Sequence, residues 1–309
     1  MNKQRFSIIT FIVSLFFAFK LSAQIPEPAR SIKPVHEKDI SKLSPLEILE
    51  DSLVYLADSM YFSSFPENRV EACYHFISII KKTLNTPNSF TFPFGKLKDK
   101  IVILKSPDNA FRIYNWEVVK SEVEKRYYGA IQMSNGSFIP LIDVSDQIIR
   151  GLEDSILMNN RWAGALYYNI VKKEISGESI YFLLGWNGAS MNSEKKVVEA
   201  FGFNSLGKAV FGAPVFNIID KGQRKPVNRF VMEYQKGAKI FLNFDKETDQ
   251  IIFDHCESQI GDPVKKFTYI PDGTYDGLKW SGNKWNMFED VVQISVLPQG
   301  SAPVEKPIK

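Results

Sequence analysis

The sequence is poor in the residues on which most catalytic and metal sites depend. It holds 3 histidines and 2 cysteines in 309 residues. His36, His75 and His255 stand far apart, and no H-E-x-x-H or C-x-x-C spacing occurs. Structural and catalytic zinc sites need nitrogen and sulfur donors at short set intervals, so no metal is expected. A serine-nucleophile elbow is also missing, because Gly188 to Asn192 (GASMN) lacks its second glycine. Gly202 to Gly212 (GFNSLGKAVFG) has Ala209 where a phosphate-cradling loop needs a hydroxyl. No cofactor is expected.

A surplus of one charge is lacking too. The chain has 38 Lys and Arg against 35 Asp and Glu, and Lys3, Arg5 and Lys20 fall within its first 23 residues. Without those residues the charge balances, so neither nucleic acid nor an anionic membrane surface is an expected partner. Long apolar runs are absent except at the start. There the basic MNKQR precedes the apolar stretch Phe6–Phe19, and LSAQ follows. This order reads as a secretory signal peptide over residues 1–23, cut after Ala23. The apolar run falls short of the roughly 20 residues that span a bilayer. No integral membrane segment is expected after cleavage, and the expected location is exported, periplasmic or secreted. An oxidising compartment permits a disulfide between Cys73 and Cys256. Cys73, on the apolar side of a helix, and Cys256, at a strand end, fit two buried free thiols as well.

Aromatic residues, by contrast, are abundant: 24 Phe, 12 Tyr and 5 Trp. They favour a β-rich fold, in which such side chains pack on a pleated surface. The Pro-containing stretch 24–43 reads as a flexible leader. Ser44-Pro45-Leu46-Glu47 is a helix start, with Leu49, Leu53, Leu56 and Met60 at helical spacing behind it. A second amphipathic helix follows, and residues 44–88 form a helical hairpin packed on the main domain. From Lys100 the hydrophobic period falls to two, and residues 89–297 read as an antiparallel β-rich domain of meander hairpins. One or two embedded helices are expected there, over Asp143–Asn160 and over Ser193–Ala200, with Ser193 as a cap. Residues 298–309 form a Pro-rich tail. The expected fold class is α+β.

Three stretches carry candidate chemistry. In Leu183 to Phe203, Trp186 and Asn187 end a strand before the expected helix. They either line an anion site at the helix start or simply fill core and turn. In Pro271 to Asp290, Asp272, Thr274 and Asp276 alternate before Gly277 as calcium ligands do, but the closing glutamate is missing. Trp280 and Trp285 flank Ser281-Gly282-Asn283-Lys284. They read as a cross-strand pair, which holds a hairpin when buried and stacks on a sugar when exposed. His255 is a structural strand-end residue or a general base completed by a carboxylate from elsewhere.

FRIYNWE, YFLLGWNG with EKKVVEAFGF, GKAVFGAPVF, RFVMEY, IIFDH and PDGTYDGLKW together resemble a set of exported, uncharacterised proteins common in Bacteroidetes. The resemblance runs from about residue 45 to 290. It implies an envelope or secreted location and a mixed helix-plus-β fold, and it implies no activity. The expected function is non-catalytic: an exported binding or envelope-associated protein whose partner is a glycan or an envelope protein. The alternative is a glycan hydrolase using carboxylates such as Asp254, Asp272 or Asp276, since two carboxylates suffice without histidine.

Overall fold

The computed structural model describes residues 43–121, 124–148, 151–188, 190–220 and 222–291. The expected signal peptide, the leader up to residue 42 and the Pro-rich tail lie outside the described residues.

The helical hairpin forms as the sequence predicts. Ser44 caps α1 (Pro45–Phe62): its hydroxyl accepts from Glu47 N, while the Glu47 carboxylate accepts from Ser44 N. Two donors that a helix start leaves orphaned are thereby satisfied. Pro66 opens α2 (Pro66–Leu84), where its missing N–H costs nothing. Leu53, Ala57 and Met60 of α1 meet Cys73, Phe76 and Ile80 of α2 in a first core. Buried Glu50 accepts from Lys96 N at 2.8 Å and Leu97 N at 3.1 Å, tying the helices to the chain that enters the sheet.

That sheet is a meander of β1 (Val102–Lys105), β2 (Phe111–Val119), β3 (Lys125–Met133) and β4 (Phe138–Ile142). Then come β5 (Leu157–Met158), β6 (Leu166–Ile175), β7 (Glu178–Asn187), β8 (Ser193–Phe203) and β9 (Ala209–Phe211). The later strands are β10 (Phe216–Asp220), β11 (Gln223–Val227), β12 (Arg229–Gln235), β13 (Leu242–Asp245), β14 (Gln250–Ser258), β15 (Tyr269–Ser281) and β16 (Lys284–Phe288). A second sheet has the order β5-β9-β8-β7-β6, with β12 also paired to β8. A third has the order β11-β10-β16-β15-β14-β13. All pairings between these strands are antiparallel except β10 with β16.

Side-chain alternation stacks these parts into four layers. Tyr114, Trp116 and Val118 of β2 face the helices, while Phe111 and Ile113 face the second sheet. Tyr181 and Leu183 of β7 return that contact. Phe182 and Leu184, on the opposite face, meet Phe216, Ile251, Leu278 and Trp285 of the third sheet. The order is helices, first sheet, second sheet, third sheet, with an apolar core at each junction.

The fold is helix-then-β as the sequence predicts, but among the described residues neither of the expected embedded helices is formed. Ser193–Ala200 belongs to strand β8. Both faces of β8 are covered, Val197 and Phe201 by the first sheet and Val198 and Ala200 by the third. A strand buried on both faces shows a continuous apolar run that periodicity cannot tell from a buried helix. Ser193 is not a helix cap; its hydroxyl donates to Glu233 of β12. Asp143–Asn160 contains two short 3-10 turns, Ser145–Gln147 and Asn159–Arg161, and strand β5. Asp143 is not a helix cap: its Oδ1 accepts from Ser145 N at 2.8 Å in a local turn. Its other oxygen accepts from Tyr127 N at 3.0 Å, which holds the segment against β3 instead of releasing it into a helix.

Candidate functional site

Trp186 and Asn187 are consecutive residues at the end of β7, so their side chains leave the strand on opposite faces. Each enters a different recess. Trp186 lines an open groove of about 570 Å³ where β8 and β12 meet the rim of the third sheet. Asn187 lines a more enclosed cleft of about 180 Å³ between the first and second sheets.

The groove is aromatic with charged margins. Trp186, Tyr234, Phe241 and Tyr275 line it together with Glu194, Lys196, Lys239 and Asp254. Phe241 and Tyr275 are 49% and 37% exposed. Their rings meet edge-on at 6.4 Å. The Trp186 indole is fixed from three sides. Its Nε1 donates to Glu194 Oε2 at 3.1 Å, and Lys125 Nζ stands 4.5 Å above the ring. Gly188 closes the third side: a Cβ there would overlap the indole itself. The Asn-Gly step thus serves the tryptophan as well as the turn. Burial lowers the Lys196 pKa despite the charge of Glu194, and its ammonium sits 4.7 Å over the Tyr168 ring. Asp254 Oδ2 accepts from Phe241 N at 2.7 Å and so holds the backbone that presents Phe241.

The cleft has a buried ion pair at its floor. Arg229 of β12 lies directly across from Glu199 of β8, and both are almost wholly inaccessible. Arg229 Nε donates to Glu199 Oε1 at 2.6 Å, and Nη1 donates to Leu152 O at 2.5 Å. The other Glu199 oxygen accepts from the Tyr167 hydroxyl, which itself accepts from Trp162 Nε1 at 2.7 Å. Burial, followed by the charge of Glu199, pushes the Tyr167 pKa far above its ordinary value, so the phenol remains a donor. Asn187 Nδ2 donates to Gly164 O at 2.6 Å.

No family model, curated protein or solved structure matches this chain. The site therefore rests on geometry alone.

Not all of the sequence's candidates come together. Trp280 and Trp285 do pair across the β15–β16 ladder, with Gly282 and Asn283 at φ +59° and +62° in the turn. Trp285 is fully buried and Trp280 packs on Phe182 at 5.4 Å, so the pair is not a sugar-stacking surface. The Asp-Gly steps of Pro271 to Gly277 are not turns between strands, since both lie inside the long strand β15. Asp272 Oδ1 accepts from Thr274 N and Oγ1 at 2.9 and 2.8 Å, which spends it locally. Asp276 is buried, and desolvation raises its pKa against the opposing charge of His255. A calcium loop is not formed: Asp272, Thr274 and Asp276 are strand residues. The anion site expected at Trp186 and Asn187 loses its helix, and Gly188 N donates to the Tyr127 hydroxyl at 2.7 Å.

The structure adds an arrangement that spacing alone did not reveal. His255 stands where the β14–β15 register shifts, and its Nδ1 lies 2.7 Å from Asp272 Oδ2. Together with Glu257, these are the described residues whose ligand atoms converge within 4.8 Å, although both carboxylates are exposed. Among the described residues, neither Asp272 nor His255 lines the groove or the cleft. Both cysteines are free thiols, Cys73 buried and Cys256 half-buried. The groove residues Phe241 and Tyr275 are 34 residues apart, one in a loop and one on β15, and what marks them is exposure, which a sequence does not carry.

Proposed function

We propose that this chain is an exported, non-catalytic glycan-binding protein whose ligand lies in the aromatic groove. One observation carries this reading: Trp186, Phe241 and Tyr275 converge on a single open recess with Glu194, Lys196 and Lys239 at its margins. Sugar rings offer apolar C–H faces to aromatic side chains and hydroxyls to charged ones, and ligand sites generally combine a mostly apolar wall with a few placed polar groups. Export rests on the signal-like N-terminus, with which the resemblance to exported Bacteroidetes proteins agrees.

The test is a glycan and peptidoglycan binding screen on wild type and on the Phe241→Ala, Tyr275→Ala double variant. The double variant is expected to lose at least about tenfold in affinity for whichever glycan binds, the equivalent of roughly 1.4 kcal/mol. Undiminished binding would remove the groove from the reading. A carboxylate hydrolase is the second reading, because Glu194 and Asp254 both line the groove. Reducing-end release from the bound glycan, abolished by Glu194→Gln, would favour it instead.

A further inference from the structure

The enclosed cleft has no part in the glycan reading, and its chemistry differs from that of the groove. Arg229 is 1% exposed and lines the cavity. Its Nη2 is ion-paired with Glu199 Oε1 but has no acceptor in hydrogen-bonding line among the described residues. A buried guanidinium hydrogen without an acceptor is costly, and an occupant of the cavity that accepts it removes the cost. Lys195 lines the same cavity from β8. Its ion-pair partner, Glu233, is 3.9 Å away. The neighbouring cations are more closely held, Arg126 by Asp146 at 3.1 Å and Lys125 by Glu117 at 3.4 Å. The Ser190 and Ser193 hydroxyls complete a polar wall.

We propose that this cleft binds a small monocarboxylate, whose carboxylate accepts from Arg229 Nη2 and is attracted by Lys195. A single guanidinium nitrogen is open, so one carboxylate satisfies it, whereas the second charge of a dianion would go unpaired in a desolvated space, where it is expensive. Size argues the same way. A cavity of about 180 Å³ is smaller than the pockets that enclose drug-sized ligands, which are roughly 300–1,000 Å³. It suits a molecule between acetate and a single acidic sugar. Planar carboxylate oxygens also match guanidinium donors better than a ring hydroxyl does.

The experiment is calorimetric titration of the full chain with acetate, glucuronate, glucose and sulfate. Acetate and glucuronate are expected to bind saturably, and glucose and sulfate not. Lys195→Gln, a half-exposed change that leaves the buried pair intact, is expected to weaken glucuronate at least fivefold. Lys82→Gln, on the exposed side of α2 and away from both recesses, is expected to leave it unchanged. Absence of saturable carboxylate binding, sulfate binding as tight as glucuronate, or Lys195→Gln binding like wild type would each overturn the proposal. Failure of the groove variants in the glycan screen does not bear on it, because the two recesses are read by different residues.

Discussion

Trp285 faces Trp280 across the β15–β16 ladder, the two rings 5.3 Å apart and inclined at 65°. Trp285 also meets Phe182 of the second sheet edge-on at 5.5 Å and is completely buried. The pair is the joint between two sheets. Trp285→Ala is expected to destabilise the fold by about 3–5 kcal/mol, the usual loss for a large aromatic in a core that cannot collapse. Trp280→Ala should cost distinctly less, since Trp280 is only half-buried. Equilibrium urea unfolding measures both. Equal small losses would show that the joint is not where the third sheet is held.

Gly188 tests whether the groove is preorganised. Its Cβ would overlap the Trp186 indole. Gly188→Ala is therefore expected to displace the ring and break its bond to Glu194, lowering glycan affinity by several-fold. Trp186 fluorescence in the four-fold Phe background of the other tryptophans reports the displacement directly. Unchanged emission and affinity together would mean that the ring has another place to go.

The Arg229–Glu199 pair is sensitive to the removal of one partner. Glu199→Gln leaves the guanidinium buried without its counter-charge and is expected to cost about 3–5 kcal/mol. Replacing both residues by apolar side chains of similar volume should recover much of that loss. A double-variant cycle by chemical unfolding checks it, and a single variant as stable as wild type contradicts it.

His255 should titrate above its ordinary 6.5. Burial alone lowers its pKa, but the hydrogen bond it donates to Asp272 and the charges of Asp276, Asp272 and Glu257 more than reverse this. A raised folded pKa contributes stability that is fully present below the unfolded value and is lost as pH rises through the folded one. Asp272 moves in the opposite sense. Burial raises it, but Thr274 and His255 outweigh that and hold it low, so its contribution fades as pH falls through its folded pKa. An NMR titration of the His255 ring is expected to shift downward in Asp272→Asn. An unmoved midpoint would show that the pairing is not formed in solution.

Burial raises the Cys73 thiol to about 11 and the Cys256 thiol to about 12, the latter also through the charge of Asp254. Neither forms a thiolate readily near neutral pH, and the thiolate is the reactive species. Both are expected to resist iodoacetamide in the native state and to react on unfolding. Reductant should leave the melting temperature unchanged, and a drop with reductant would indicate a disulfide instead.

The layout of the helices and hairpins was readable from local chemistry. Ser44 and Glu47 announce α1, and Gly282-Asn283 announces the turn that sets Trp280 against Trp285, because caps and tight turns depend on residues a few positions apart. The register of that hairpin follows from the same turn. Strand β8 was not readable in this way. SEKKVVEAF fits a helix until the first and third sheets cover it from both sides, and only those distant layers make it a strand.

The amino-acid sequence by itself determined the helical hairpin, the β-rich remainder and the want of any zinc or serine-nucleophile motif, all of which are matters of composition and short spacing. Only the tertiary structure decided which aromatics are surface and which are core. It buried Trp285, exposed Phe241 and Tyr275, joined Arg229 to Glu199 across two strands and set His255 beside Asp272. The physical reason is that burial and pairing between strands depend on which layers come to lie against one another. That is a property of the whole packed chain, and no short stretch of it carries the information.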